Sequence, residues 1–197
     1  MTKGLLLVVA ALGAVAFTGC VADGGGPSPS PSVSSKWPER DVEDDVTMVP
    51  PPGWELVTDP AVLSQARWEL IVIPEGGDVS ERRGVRGLAS PARVLRDALP
   101  REWVDDPARR RDAWAEDAQQ RGASIEVLPD RVFDGETAYG YLAVGEEFDG
   151  VAIPYEEWIV RRADGIWHFV VWGEPGTDRV PQDLSASLDT VRWSIPS

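Results

Sequence analysis

The apolar pattern changes period along the chain, and the changes mark its parts. Leu5 to Phe17 is an unbroken run of apolar and small residues behind the single charge of Lys3, and it closes on Thr18-Gly19-Cys20. The run is shorter than the ~20 residues a helix needs to cross a bilayer core. A positive start, a short apolar middle and a small-residue exit predict a secretory signal over residues 1–19. Val21 to Ser35 is almost wholly Gly, Pro and Ser, with the repeat Pro27-Ser28-Pro29-Ser30-Pro31-Ser32. Such a segment cannot bury apolar surface and favours extended conformations, so residues 20–44 are expected to act as a spacer.

From residue 45 to 197 the pattern is that of one folded domain. Asp134-Gly135 and Asp164-Gly165 each lie between apolar runs, the strongest short-range hairpin signature, and Phe148-Asp149-Gly150 lies between them. These turns predict strands over 124–133, 137–147, 152–163 and 166–173. Two-residue loops would place Phe133 opposite Glu136, Leu128 opposite Tyr141, Ala163 opposite Ile166, Val160 opposite Phe169 and Trp158 opposite Val171. The third turn, closed the same way, would set Tyr141 opposite Trp158.

In that register one face collects Leu128, Val132, Tyr139, Tyr141, Trp158, Val160, Phe169 and Val171. The other collects Ile125, Val127, Leu142, Val144, Tyr155, Ile159, Val170 and Trp172. Both faces are apolar, so the sheet requires cover on both sides. Ser90-Pro91 predicts a helix to about Leu99, and Asp106-Pro107 predicts another to about Arg121 with Gly122 as its C-cap. Asp117 and Arg121 form a favourable i,i+4 pair on the second helix. A short helix is expected over Gln182–Asp189, and two further strands over Val46–Val49 and Trp68–Ile73. Pro50-Pro51-Pro52-Gly53-Trp54 turns the chain after the first of these. The predicted fold class is α/β (α+β), an antiparallel sheet of about six strands sandwiched by helices.

Composition narrows the function. Of 197 residues, 33 are acidic and 19 basic, a formal net charge of −14, with one cysteine and one histidine. An acidic chain lacks the basic footprint for nucleic acid, and a disulfide framework or Cys/His zinc cluster is excluded. The lone cysteine follows the small pair Thr18-Gly19. This resembles the lipobox of bacterial lipoproteins, with Phe17 where the usual pattern has Leu. The resemblance implies diacylation of the Cys20 sulfur and a mature protein held at the extracytoplasmic face of the cell membrane. A lipid anchor also accounts for an otherwise purposeless exposed thiol.

The element order carries a second resemblance. A strand leads into Pro52-Gly53-Trp54, then come a second strand, helices and an antiparallel meander. A last helix runs into the apolar segment Leu188-Asp189-Thr190-Val191-Arg192-Trp193-Ser194-Ile195. Over residues 45–197 this resembles the family that includes the photosystem subunit PsbP, the bacterial protein DcrB and the actinobacterial LpqN-type lipoproteins. The resemblance implies a helix-sandwiched antiparallel sheet and a non-enzymatic binding or accessory role with diverse partners. It carries over no functional residues, no cofactor and no metal.

The chemistry-bearing residues agree with a binder. There is no Gly-x-Ser-x-Gly elbow, His-Glu-x-x-His or Walker loop. His168, placed opposite Arg161 in the register above, has no nucleophile assigned to it. The acidic pairs Asp105-Asp106, Glu146-Glu147 and Glu156-Glu157 read as surface charge. Neighbouring strand residues point to opposite faces, so Glu156-Glu157 is not a facing catalytic pair, although Glu157 falls on a face read as buried. Nine tryptophans stand out. Trp158, Trp167 and Trp172 fit core strand positions and Trp114 the second helix, while Trp37, Trp54 and Trp103 sit in loops or at strand ends.

Residues 82–111 carry nine arginines against four acids, net +5 within an acidic chain. That dipole suits an anionic headgroup surface or an acidic polymer. The expected function is a membrane-anchored, non-catalytic envelope module for a protein partner or an envelope glycolipid. Trp54, Trp103, Trp114, Arg109, Arg110 and Arg111 are its candidate contact residues. The alternatives are an envelope hydrolase using a carboxylate pair that includes Glu157, and a structural subunit of an export complex.

Overall fold

The computed structural model describes residues 46–91, 105–162 and 165–194, all within the unit Pro38–Ser197. The elements in chain order are β1 (Val46–Thr47), β2 (Trp54–Leu56), α1 (Pro60–Ala66), β3 (Leu70–Pro74), β4 (Gly84–Pro91), α2 (Pro107–Gln120), β5 (Ser124–Val127) and β6 (Arg131–Phe133). There follow β7 (Glu136–Val144), β8 (Glu147–Phe148), β9 (Val151–Ala152), β10 (Tyr155–Arg162), β11 (Gly165–Trp172), α3 (Gln182–Ser187), a 3-10 turn (Leu188–Thr190) and β12 (Arg192–Trp193). An antiparallel eight-stranded sheet runs β2-β3-β4-β11-β10-β7-β5, with β6 also paired to β7. It exceeds the six expected strands because β2 and β4 add to it and the segment 124–133 is two strands, while the expected strand at Val46–Val49 is β1, paired with β12 outside this sheet.

Each difference has a local cause. Ser90-Pro91 closes β4 instead of opening a helix, with Ser90 opposite Ile166 and Pro91 opposite Gly165. A proline at a strand end costs little in the ladder; the remainder of that predicted helix lies outside the described residues. The Asp-Pro device works where it recurs. Asp106 caps α2 by accepting from the Arg109 amide, and Asp59 caps the unpredicted α1 by accepting from Ala61. Gly122, with φ +101°, ends α2 as expected.

Two one-residue slips reset the faces of β7. Phe133 stands opposite Glu136 as predicted, but Val127, not Leu128, stands opposite Tyr141. Residues 128–130 therefore face only 139–140, a bulge at Pro129, which has no amide to donate. The second slip is at Gly145, φ +94°. Phe148 pairs with Val151 across the Asp149-Gly150 turn, yet Tyr155 pairs with Ala143. Because strand side chains alternate, each slip exchanges faces. Trp158 now lies opposite Gly140 and not Tyr141.

The β10–β11 hairpin slips by two, which preserves faces. Arg162 pairs with Gly165, so Trp158 meets Phe169, Val160 meets Trp167, and His168 meets Ile159 instead of Arg161. The loop residues 163 and 164 lie outside the described residues.

Both faces are covered. One packs Trp158, Trp167, Phe169, Val72 and Val85 against Leu184 and Leu188 of α3 and the following 3-10 turn, and against Val46 and Trp193 of the β1–β12 ribbon. The other packs Tyr141, Ala143, Tyr155 and Val170 under Ala115, Ala118 and Trp114 of α2. α1 adds Leu63 over Ile71 and Ile73. Arg86, only 4% exposed, serves the turn between β3 and β4. Its guanidinium donates to the carbonyls of Val72, Val79, Glu81, Arg83 and Val85 at 2.8–3.2 Å. Burial pushes its pKa down to about 10, so it remains a cation at neutral pH, solvated by backbone oxygens.

The sheet makes a direct test possible. A methyl group on Gly140 would stand 2.4 Å from Cε3 of the Trp158 indole. Gly140→Ala is expected to destabilise the fold by about 3 kcal/mol in urea unfolding, as overpacking in a rigid core does. An unchanged midpoint would refute the register of β7 on β10.

Candidate functional site

A hollow lies on the Trp158 side of the sheet, between β7, β10 and α3. It encloses about 550 Å³, within the range of small-molecule sites. Leu128, Pro129, Leu142, Trp158, Val180 and Ala186 form its apolar lining, and Arg131, Glu156, Arg179, Gln182, Ser185 and Asp189 its polar lining. The bulge creates it. By leaving the ladder at 128–130, the chain brings Leu128 and Pro129 to the rim, and the slip at Gly145 turns Leu142 to the Trp158 side.

The polar groups of this cleft hold one another. Glu156 accepts from the Trp158 indole N–H at 3.0 Å and from the Ser185 hydroxyl at 2.7 Å. Arg131 donates to Asp189 at 2.6 Å and to the Ser185 carbonyl at 3.0 Å, and its guanidinium lies 5.1 Å from the Trp158 ring centroid. Arg179 pairs with Glu126 at 3.3 Å. The floor is apolar; at the walls Arg131 is paired with Asp189 and Arg179 with Glu126, while Glu156 is held by neutral donors. An apolar floor with polar walls is the chemistry of a small-molecule cleft.

A second polar assembly lies on the opposite face, beneath α2. Buried Glu146 accepts from the Tyr155 hydroxyl at 2.6 Å and pairs with Arg121, which also holds Asp117. The hydrogen bond to Glu146 raises the Arg121 pKa above its usual range. Burial first, and the Glu146 carboxylate second, push the Tyr155 phenol up. Glu157 sits between the Tyr141 hydroxyl and His168, and the His168 ring lies 4.4 Å from that of Trp114.

The predicted contact residues are dispersed. Trp54 is half-buried on β2 and packs against the core beside Gly84. Trp114 is wedged between α2 and the sheet. Arg109 is exposed, Arg110 is buried over the Trp114 ring, and Arg111 pairs with Asp112 at 2.6 Å. Only Trp114 and Arg110 are brought together; Trp54 belongs to the far side of the sheet. Cys20, Trp37 and Trp103 lie outside the described residues, as do residues 1–45 as a whole.

Glu157 faces α2, on the side away from the cleft, and it is Glu156 that lines the cleft. The cleft residues Leu128, Leu142, Glu156 and Trp158 were not singled out as a site in the sequence. The available signal was Pro129, which interrupts an otherwise apolar strand. Among the described residues no group of three or more His, Cys, Asp or Glu is placed to hold a metal ion, and no helix is long and apolar enough to cross a membrane.

No protein-family model matches the chain. No curated protein matches it in sequence. Among solved structures, it is similar to the solution structure of cyanobacterial PsbP (CyanoP) from Synechocystis sp. PCC 6803, at 15% identity and a TM-score of 0.37. The match covers 78% of this chain and 89% of that one. Similarity at this level assigns neither ligand nor partner.

The assembly beneath α2 has a titration signature. Removing the negative charge next to the Tyr155 phenol makes tyrosinate easier to form. Glu146→Gln is therefore expected to move the ionisation of one of the three tyrosines down towards pH 10. Ultraviolet absorbance during alkaline titration reads this directly, and an unmoved high-pH step would overturn the assignment.

Proposed function

We propose that this chain is a cell-envelope lipoprotein, anchored through Cys20, whose folded domain is a non-catalytic binding module for an envelope glycolipid. The observation that carries the binding reading is the cleft under α3. Its volume suits one acyl or headgroup moiety, its floor is apolar, and Arg131, Arg179 and Gln182 at its walls can orient a polar group. The anchor rests on the small-residue exit before Cys20 and on the Gly/Pro/Ser stretch behind it, which suits a tether. A glycolipid is favoured over a protein partner because the apolar lining is concave, whereas Trp54 and Trp114 are packed inward. The hydrolase reading finds no support in Glu157, which is held by Tyr141 and His168 away from the cleft.

Two measurements test the proposal. Cys20→Ala is expected to lose lipid label and to accumulate as an unprocessed precursor; normal processing would refute the anchor. Leu142→Trp fills the cleft floor and is expected to reduce co-purified envelope lipid at least tenfold by native mass spectrometry. Retention of the same lipid by that variant would remove the cleft as the binding site.

A further inference from the structure

On the sheet face opposite the cleft, α2 carries a buried cation whose Nε and Nη1 groups have no acceptor among the described residues. Arg110 is 8% exposed, and its guanidinium lies 5.0 Å from the Trp114 ring centroid. A guanidinium stays charged at neutral pH, and a ring face repays only part of its lost hydration.

The same fold provides for its other sheltered arginines. Arg86 has five backbone carbonyls, Arg111 has Asp112, and Arg131 has Asp189 and Ser185. Among the described residues, four acids at α2 and on the neighbouring sheet are already engaged. Asp105 pairs with Arg161, Asp106 caps α2, Asp112 holds Arg111, and Glu157 is held by Tyr141 and His168.

We propose that Arg110, flanked by Trp114, is a receptor for an oxyanion supplied from outside the chain, a phosphate or carboxylate group. The negative group completes the two idle donors, and the indole beside them excludes water that would otherwise weaken the pairing. The shared chemistry has two sources, a soluble anion or the phosphate of an anionic lipid headgroup. Arg109, exposed on the next position of α2, adds positive potential without being part of the pairing.

The test uses the full chain in detergent micelles, with sodium phosphate or sodium acetate replacing chloride at constant ionic strength. Thermal unfolding and the ¹⁵N-resolved Arg110 Nε–H resonance are followed together. Wild type and Arg109→Gln are expected to show a saturable rise in Tm with phosphate and a saturable shift of the Nε–H signal. Arg110→Met is expected to need at least tenfold more phosphate for the same rise.

Phosphatidylglycerol and phosphatidylcholine vesicles separate the sources. Arg110-dependent binding to the former alone, competed by free phosphate, identifies a headgroup. A phosphate or acetate response without Arg110-dependent vesicle binding identifies a soluble anion. An Arg110→Met protein that responds like wild type, or a wild-type Nε–H signal unmoved by both anions, overturns the proposal. The resonance is read on wild type, so it decides even if Arg110→Met fails to fold. Leu142→Trp should leave the anion response unchanged, because the cleft lies on the other face.

Discussion

The close approach of the Trp158 indole to the backbone of Gly140 is the constraint on which both faces of the sheet depend. It requires β7 to present hydrogen where its neighbours present side chains. It also requires the slip at Gly145 that brings Gly140 opposite Trp158, while the slip at Pro129 sets β5 on β7. With the slip at Gly145, Leu142 joins Trp158 on the cleft side, while Tyr141 and Ala143 meet α2. Without it Tyr141 would meet Trp158, two large rings would compete for one layer, and α2 would lose the surface it packs on.

The two faces spend their polar groups differently. On the cleft side, Glu156, Arg131, Ser185 and Asp189 are linked to one another and to the Trp158 indole, around an apolar floor. Beneath α2, Glu146 and Glu157 are each held by a tyrosine hydroxyl and a basic side chain, Arg121 and His168 respectively. Paired, hydrogen-bonded carboxylates of this kind specify how α2 seats on the sheet more than they add net stability. Among the described residues Arg110 departs from the pattern, which is why an external anion is inferred there and not at the more visible arginines.

The folded domain contains no lysine, and the fold uses the geometry of arginine. Five carbonyls around Arg86, a stacked carboxylate pair at Arg131 and the double contact of Arg121 all exploit a planar fork with several donors. A lysine at any of these positions would reach fewer acceptors. The positive segment noticed in the sequence is therefore not one surface. Arg86 and Arg110 are inside, Arg111 is neutralised, and Arg109 faces solvent.

Much of the architecture was legible because its signals are local. Asp-Gly turns fix where hairpins close, Asp-Pro pairs start helices, and apolar runs on both strand faces demand cover on both sides. These readings placed the central strands, α2, α3 and the antiparallel sheet. What the chain order could not decide was register. A single extra residue at Pro129 or Gly145 exchanges the faces of a strand at little local energetic cost. The choice is made by whether a distant Trp158 finds a glycine or a tyrosine beneath it. The cleft, the seat of Glu157 and the isolation of Arg110 all follow from that non-local packing, so they existed only once the sheet had assembled.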